Sequence, residues 1–165
     1  QQLILSLTNL IYTEHFKVVN KILDYFIEQI SDKEKNNLLY EEYPKPITWE
    51  EIEKLSKNPI ISFQSHGVTH TAVSSLSENE IEDEMIKSKE IIEQHTGLKV
   101  HSFCYPYGNE KSIGVYAPKI AAKHYNSAVT LMRGRLKKNN PFYLPRIDLY
   151  NGDSPGFVRL KVILN

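Results

Sequence analysis

The segment Ser65-His66-Gly67-Val68-Thr69-His70 sets two imidazoles four residues apart, directly behind an apolar stretch, Ile60 to Ser65, that reads as a short, largely buried strand. Neutral imidazole is a ligand for zinc and similar divalent metals. Four residues make one helical turn, so His66 and His70 can face one point if the chain turns helically there. The same spacing also fits two polar histidines on a surface loop. Position favours ligands, because in parallel α/β folds binding sites gather where strands end, and His66 sits at such an end. A zinc-protease helix does not fit: that chemistry wants Glu directly after the first His as base, and Gly67 stands there.

A second group, Phe103-Cys104-Tyr105-Pro106-Tyr107-Gly108-Asn109, again follows a strand-like stretch. A Pro-aromatic-Gly turn fixes backbone amides, so the Tyr107 amide could point at an oxygen that becomes negative in acyl transfer, while Tyr105, Pro106 and Tyr107 wall a sugar site. A plain type I or II turn with two packing tyrosines accounts for the same residues. The third group is Leu144-Pro145-Arg146-Ile147-Asp148. Arg146 could orient a buried carboxylate through a bidentate hydrogen bond, and Asp148 could ligate or act as base. A surface ion pair of little consequence is the alternative.

The elements that must position these residues follow from periodicity. Phe16, Val19, Ile22, Leu23, Phe26, Ile27 and Ile30 recur at helical spacing across Glu14 to Ile30. After Pro44 and Pro46, Thr48 with Glu51 forms a capping box for a short helix through Leu55. Ser77 with Glu80 caps the clearest helix, whose inward stripe is Ile81, Met85, Ile91 and Ile92 and whose stop is Gly97. Val100 to Tyr105, Ser127 to Met132 and Tyr143 to Leu149 read as strands, Tyr116 to Tyr125 as a helix with Pro118 near its start, and Ser154-Pro155 opens a terminal helix. Strands alternating with helices predict a parallel α/β sheet or barrel.

A chain of 165 residues, 41% of them hydrophobic, is long enough for one domain with its own core. The expectation is a single domain over residues 1–165, in which 1–46 is a helical lead-in. Twenty basic and twenty acidic side chains cancel, which gives neither the basic face of a nucleic-acid binder nor an acidic tail. The single Cys104 cannot form an internal disulfide, which leans toward a reducing compartment without excluding export. No apolar run approaches the roughly 18 residues of a membrane span. Leu3 to Tyr12 is interrupted by Ser6, Thr8 and Asn9 and lacks a basic lead, so neither signal peptide nor anchor is expected.

Taken in order, these segments resemble the polysaccharide deacetylase (NodB-homology) family, in which a His-x-x-x-His motif follows a strand and a Pro-Tyr-Gly turn comes later. Ser65 to His70 looks like the family's second motif and Ser102 to Gly108 like its third. Ile47-Thr48-Trp49 and Leu144-Pro145-Arg146-Ile147 are also similar, so the resemblance covers roughly residues 47 to 150. It implies a distorted, here incomplete, (β/α) barrel and a divalent metal, usually zinc, held by His66, His70 and one Asp. It also implies removal of acetyl groups from an N-acetylated glycan. Two of the family's motifs have no counterpart: the opening Thr-Phe-Asp-Asp-Gly, source of the base and third ligand, and the late Leu-x-His. Asp24 and Asp32 lie in or after a helix, the wrong context for the first, and the expectation is that Gln1 begins downstream of it. A glycan-binding, inactive relative stands beside the enzyme as the competing expectation.

Overall fold

Local signals set the helices, and long-range hydrogen bonds hold short strands between them. The computed structural model describes residues 14, 16–29, 31, 46–134, 136, 140–150 and 152–164. Helix α1, Phe16–Glu28, arises from the expected apolar period. Asp24 lies exposed on it, whereas Asp32 is outside the described residues. Thr48 caps α2, Trp49–Leu55: its hydroxyl accepts from the Glu51 amide and Glu51 accepts from the Thr48 amide at 2.8 Å. This helix buries no side chain, so it docks by its ring instead. Trp49 stacks on His95 with centroids 4.1 Å apart, and Glu53 reaches His95 Nδ1 at 3.1 Å.

A 3-10 turn, Val73–Ser75, leads to α3, Glu78–Thr96, which starts at the Ser77–Glu80 capping box and stops at Gly97 in the left-handed region, φ 68°. Its inward face is Ile81, Met85, Ser88 and Ile92, while Ile91 lies exposed. The helical step of about 100° per residue explains the correction, since it returns position 92, not 91, to the face of Ile81. A short helix that the sequence reading did not anticipate, α4, Glu110–Ile113, starts at Asn109, whose side chain accepts from the Ser112 amide at 3.0 Å. Helix α5, Ala117–His124, carries Pro118 in its first turn, and α6, Pro155–Leu164, begins at Ser154, whose hydroxyl accepts from the Phe157 amide.

Strands β1, Ser102–Cys104, and β2, Ser127–Val129, pair in parallel with Phe103 opposite Ala128. Single bridges extend this ladder on both sides, Ser65 to Phe103 and Val129 to Leu144, also parallel. Spatial order thus follows chain order, as in a (β/α) unit series. All four expected strands are shorter than their apolar runs. Ile60 is 87% exposed in a turn closed by the Ile61 amide on the Asn58 carbonyl, so the run before His66 is not a buried strand. Beyond Leu144 the register ends, because the Arg146 amide donates to the Met132 carbonyl at 3.3 Å while Arg146 Nε donates to the Thr130 carbonyl.

The core lies between this sheet and the pair α3 and α5. Ile81, Met85, Phe103, Tyr105, Ile120, Ala121, Tyr125 and Ala128 are buried together, with Phe103 within 5.4 Å of both the Tyr105 and Tyr125 rings, centroid to centroid. The opposite sheet face carries Ser102, Cys104, Ser127 and Val129 and is only half-buried; there the two serine hydroxyls meet at 2.8 Å. The result is the expected α/β layering, and among the described residues the sheet does not close. No described helix is long and apolar enough to cross a membrane.

Candidate functional site

His66, Tyr107, Leu131 and Arg146 each follow a strand or bridge residue, so they gather at the carboxyl edge of the parallel sheet. The His66 and His70 rings stand 4.8 Å apart, edge to face, and the Tyr107 ring lies 4.9 Å from that of His70, also edge to face. Both imidazoles are exposed. His66 Nδ1 is 2.7 Å from the Cys104 carbonyl. A carbonyl oxygen only accepts, so Nδ1 carries the hydrogen and the lone pair of this ring sits on Nε2. Desolvation by its surroundings, and secondarily the neighbouring His66, push the His70 pKa below its usual value, which favours the neutral form of that ring.

The route to this convergence differs from the one the spacing suggested. Residues 66–70 form no helical turn: Gly67 has φ 82° and His70 has φ 56°. A left-handed conformation at a non-glycine residue costs roughly 1–2 kcal/mol and persists only where its surroundings impose it. Glu84 on α3 binds the two residues just before His70. Its Oε2 accepts from the Val68 and Thr69 amides at 2.7 and 3.0 Å, and its Oε1 accepts from the Thr69 hydroxyl at 3.0 Å. One helical turn on, the buried Ser88 hydroxyl meets that of Ser65, the residue before His66. Sequence reasoning missed Glu84 because acidic residues at this density along a helix usually face solvent.

The turn after β1 is tighter than a type I or II turn. The Gly108 amide donates to the Pro106 carbonyl at 2.7 Å, so Tyr107 is the middle of a three-residue γ-turn, with φ 60°. Tyr105 and Pro106 are fully buried, and the Tyr105 hydroxyl donates to the Phe142 carbonyl at 3.0 Å. Tyr105 belongs to the core, where burial pushes its phenol well above its usual range, whereas the buried Pro106 ring abuts the histidine loop, its Cγ 3.7 Å from where a Cβ on Gly67 would stand.

Arg146 Nε donates to the Thr130 carbonyl at 2.9 Å, and the guanidinium lies beside the Cys104 thiol. Burial raises that thiol's pKa more than the Arg146 charge lowers it, so Cys104 stays protonated. Asp148 lines, with Leu131, Arg146 and Tyr150, a cavity of about 350 Å³, and its carbonyl accepts from Lys161 at 2.9 Å. It does not join the histidines. Among the described residues no group of three or more His, Cys, Asp or Glu is placed to hold a metal.

The fold has counterparts of known structure. The deacetylase PplD of Streptococcus pyogenes, solved with acetate, is 23% identical and superposes with a TM-score of 0.63 over 73% of this chain and 52% of its own. A polysaccharide deacetylase from Bacillus cereus is 21% identical with a TM-score of 0.64, covering 73% of this chain and 38% of its own. The deacetylase domain of BpsB from Bordetella bronchiseptica is 18% identical with a TM-score of 0.53, over 64% and 51%. The chain therefore spans about half, or less, of the length of these proteins, and its fold is a partial, unclosed version of their (β/α) barrel. No curated protein matches it by sequence. The family model for polysaccharide deacetylases matches residues 20–126, well over half of the sequence and including both histidines and the Tyr107 turn, so the chain belongs to the polysaccharide deacetylase family.

Proposed function

We propose that His66 and His70 are two ligands of a divalent metal, zinc first, in a hydrolase that removes acetyl groups from an N-acetylated glycan. The observation that carries this reading is the bond from His66 Nδ1 to the Cys104 carbonyl. It leaves Nε2 unprotonated and fixes the ring's direction, the usual outer support of a metal-bound histidine. A second neutral imidazole 4.8 Å away, both exposed at the sheet's carboxyl edge, fits the donor set of zinc. What such a cation supplies when bound is Lewis acidity toward an amide carbonyl and an acidified water.

The chain's own residues would do the rest by placement. Tyr107 is assigned as the donor of a backbone amide to the oxygen that becomes negative, with its ring as the wall of the sugar site beside His70. Arg146, anchored through Nε to Thr130, is assigned to orienting a carboxylate with its remaining N–H groups. Asp148, beside it in the cavity, is a candidate base. The family's pattern assigns the third ligand and principal base to an Asp-Asp motif that this sequence does not contain. Because no third ligand is found among the described residues, a glycan-binding relative without catalysis is the second reading.

Acetate release from N-acetylated chito-oligosaccharides, measured with zinc added, separates the two. The enzyme reading expects release that His70→Ala abolishes. Equal release from both proteins refutes the role of His70, and no release with retained oligosaccharide binding in both leaves the binding relative.

A further inference from the structure

We infer that Glu84 is the positioning residue that makes His66 and His70 converge, acting through the reach of its carboxylate rather than its charge. This rests on the reading of the two histidines as ligands and names what holds them. The loop between them has no regular structure to impose a geometry, and two of its residues, Gly67 and His70, adopt positive φ. All three hydrogen bonds that Glu84 makes to this loop fall on Val68 and Thr69, midway between the rings. Thr69 Oγ1 also lies 2.6 Å from Thr71 Oγ1, which ties the hydroxyl side of the clamp past His70. A methyl group at Gly67 would stand 3.1 Å from Glu84 Oε2, so backbone and carboxylate are already in close approach. With both oxygens committed to donors in the loop, Glu84 has no oxygen left to ligate, and among the described residues it belongs to no group of three or more that could hold a metal.

The bonding pattern separates reach from charge. Glutamine at position 84 retains one acceptor oxygen, sufficient for the two amides that now share Oε2, while its NH₂ can donate to the Thr69 hydroxyl, which turns to Thr71. Aspartate keeps the charge but is one methylene short of amides now at 2.7 and 3.0 Å, and alanine removes both reach and charge.

The test compares wild type with Glu84→Gln, Glu84→Asp and Glu84→Ala. Two quantities are read: nitrogen-15 and proton NMR of the His66 and His70 rings without metal, and zinc affinity by competition with a chromophoric chelator. Far-UV circular dichroism verifies that each variant is folded; Glu84→Asp keeps the comparison available should Glu84→Ala fail to fold. The expected result is wild-type ring signals and affinity within about threefold for Glu84→Gln, against displaced ring signals and a 10–100-fold loss for Asp and Ala, the range typical of outer-shell supports. Unchanged ring signals in Asp and Ala, or a Gln variant as impaired as Ala, overturn the inference. Should no protein bind zinc while the ring signals still move in Asp and Ala and return in Gln, the metal reading fails and the positioning role stands.

Discussion

Gly108→Ala should be far more damaging than Gly97→Ala, although both glycines have nearly the same φ. Their φ values are 60° and 68°, so a side chain at either position pays the same left-handed penalty, about 1–2 kcal/mol. Their surroundings differ. A methyl group at Gly97 meets nothing within 4 Å, whereas one at Gly108 would stand 2.6 Å from the Leu131 nitrogen and 2.9 Å from its Cβ. Relief requires the end of β2 to move away and stretches the 2.7 Å bond from the Leu131 amide to the Gly108 carbonyl. Overpacking of this kind costs about 1–3 kcal/mol and a weakened buried hydrogen bond ~0.5–1.5 kcal/mol. The expected loss is therefore about 2.5–6.5 kcal/mol for Gly108→Ala and about 1–2 kcal/mol for Gly97→Ala, out of a typical total of ~5–15 kcal/mol. Urea unfolding of both variants beside wild type measures the difference. Because Tyr107 precedes Gly108, zinc affinity should also fall in Gly108→Ala alone. Equal stability losses, within about 0.5 kcal/mol, would refute the close approach of the turn to β2.

Two further expectations concern groups away from the imidazoles. Tyr105→Phe takes the tyrosine donor from the partly buried Phe142 carbonyl and should cost about 1–3 kcal/mol in chemical unfolding while leaving oligosaccharide affinity unchanged; a selective loss of affinity would place Tyr105 in the sugar site. Asp153 accepts from Lys161 Nζ at 2.6 Å and from the Tyr150 amide at 2.8 Å, and these bonds lower its pKa. Its contribution is thus fully present above the ordinary value of 3.8 and is lost as pH falls through the lower folded value. Carbon-13 shifts should show α6 loosening in wild type below that pH and loosened at every pH in Asp153→Asn; identical profiles would contradict the tether.

What was legible in the sequence was what the chain decides within a few residues. The Thr48–Glu51 and Ser77–Glu80 boxes, the stop at Gly97 and the start at Pro155 all reappear because caps depend on neighbours three or four positions away. Asn109 shows the limit of that vocabulary: its box partner is Ser112 rather than Glu or Gln, and α4 went unread. Strand lengths were overstated because a ladder needs a partner, and the partners of Ser65 and Leu144 lie 38 and 15 residues away in β1 and β2. The order of the two histidines and the tyrosine turn was visible. Their geometry was not, since it depends on Glu84, on the Cys104 carbonyl and on two positive φ values, none of which leaves a mark in spacing.

Helix α3 also works as a gauge. Its two grips on the histidine segment, Glu84 and Ser88, sit one turn apart and take hold on either side of His66. One residue inserted between them would swing one grip about 100° out of phase with the other and advance it ~1.5 Å along the axis. Length variation among natural versions of this helix should consequently fall outside that interval.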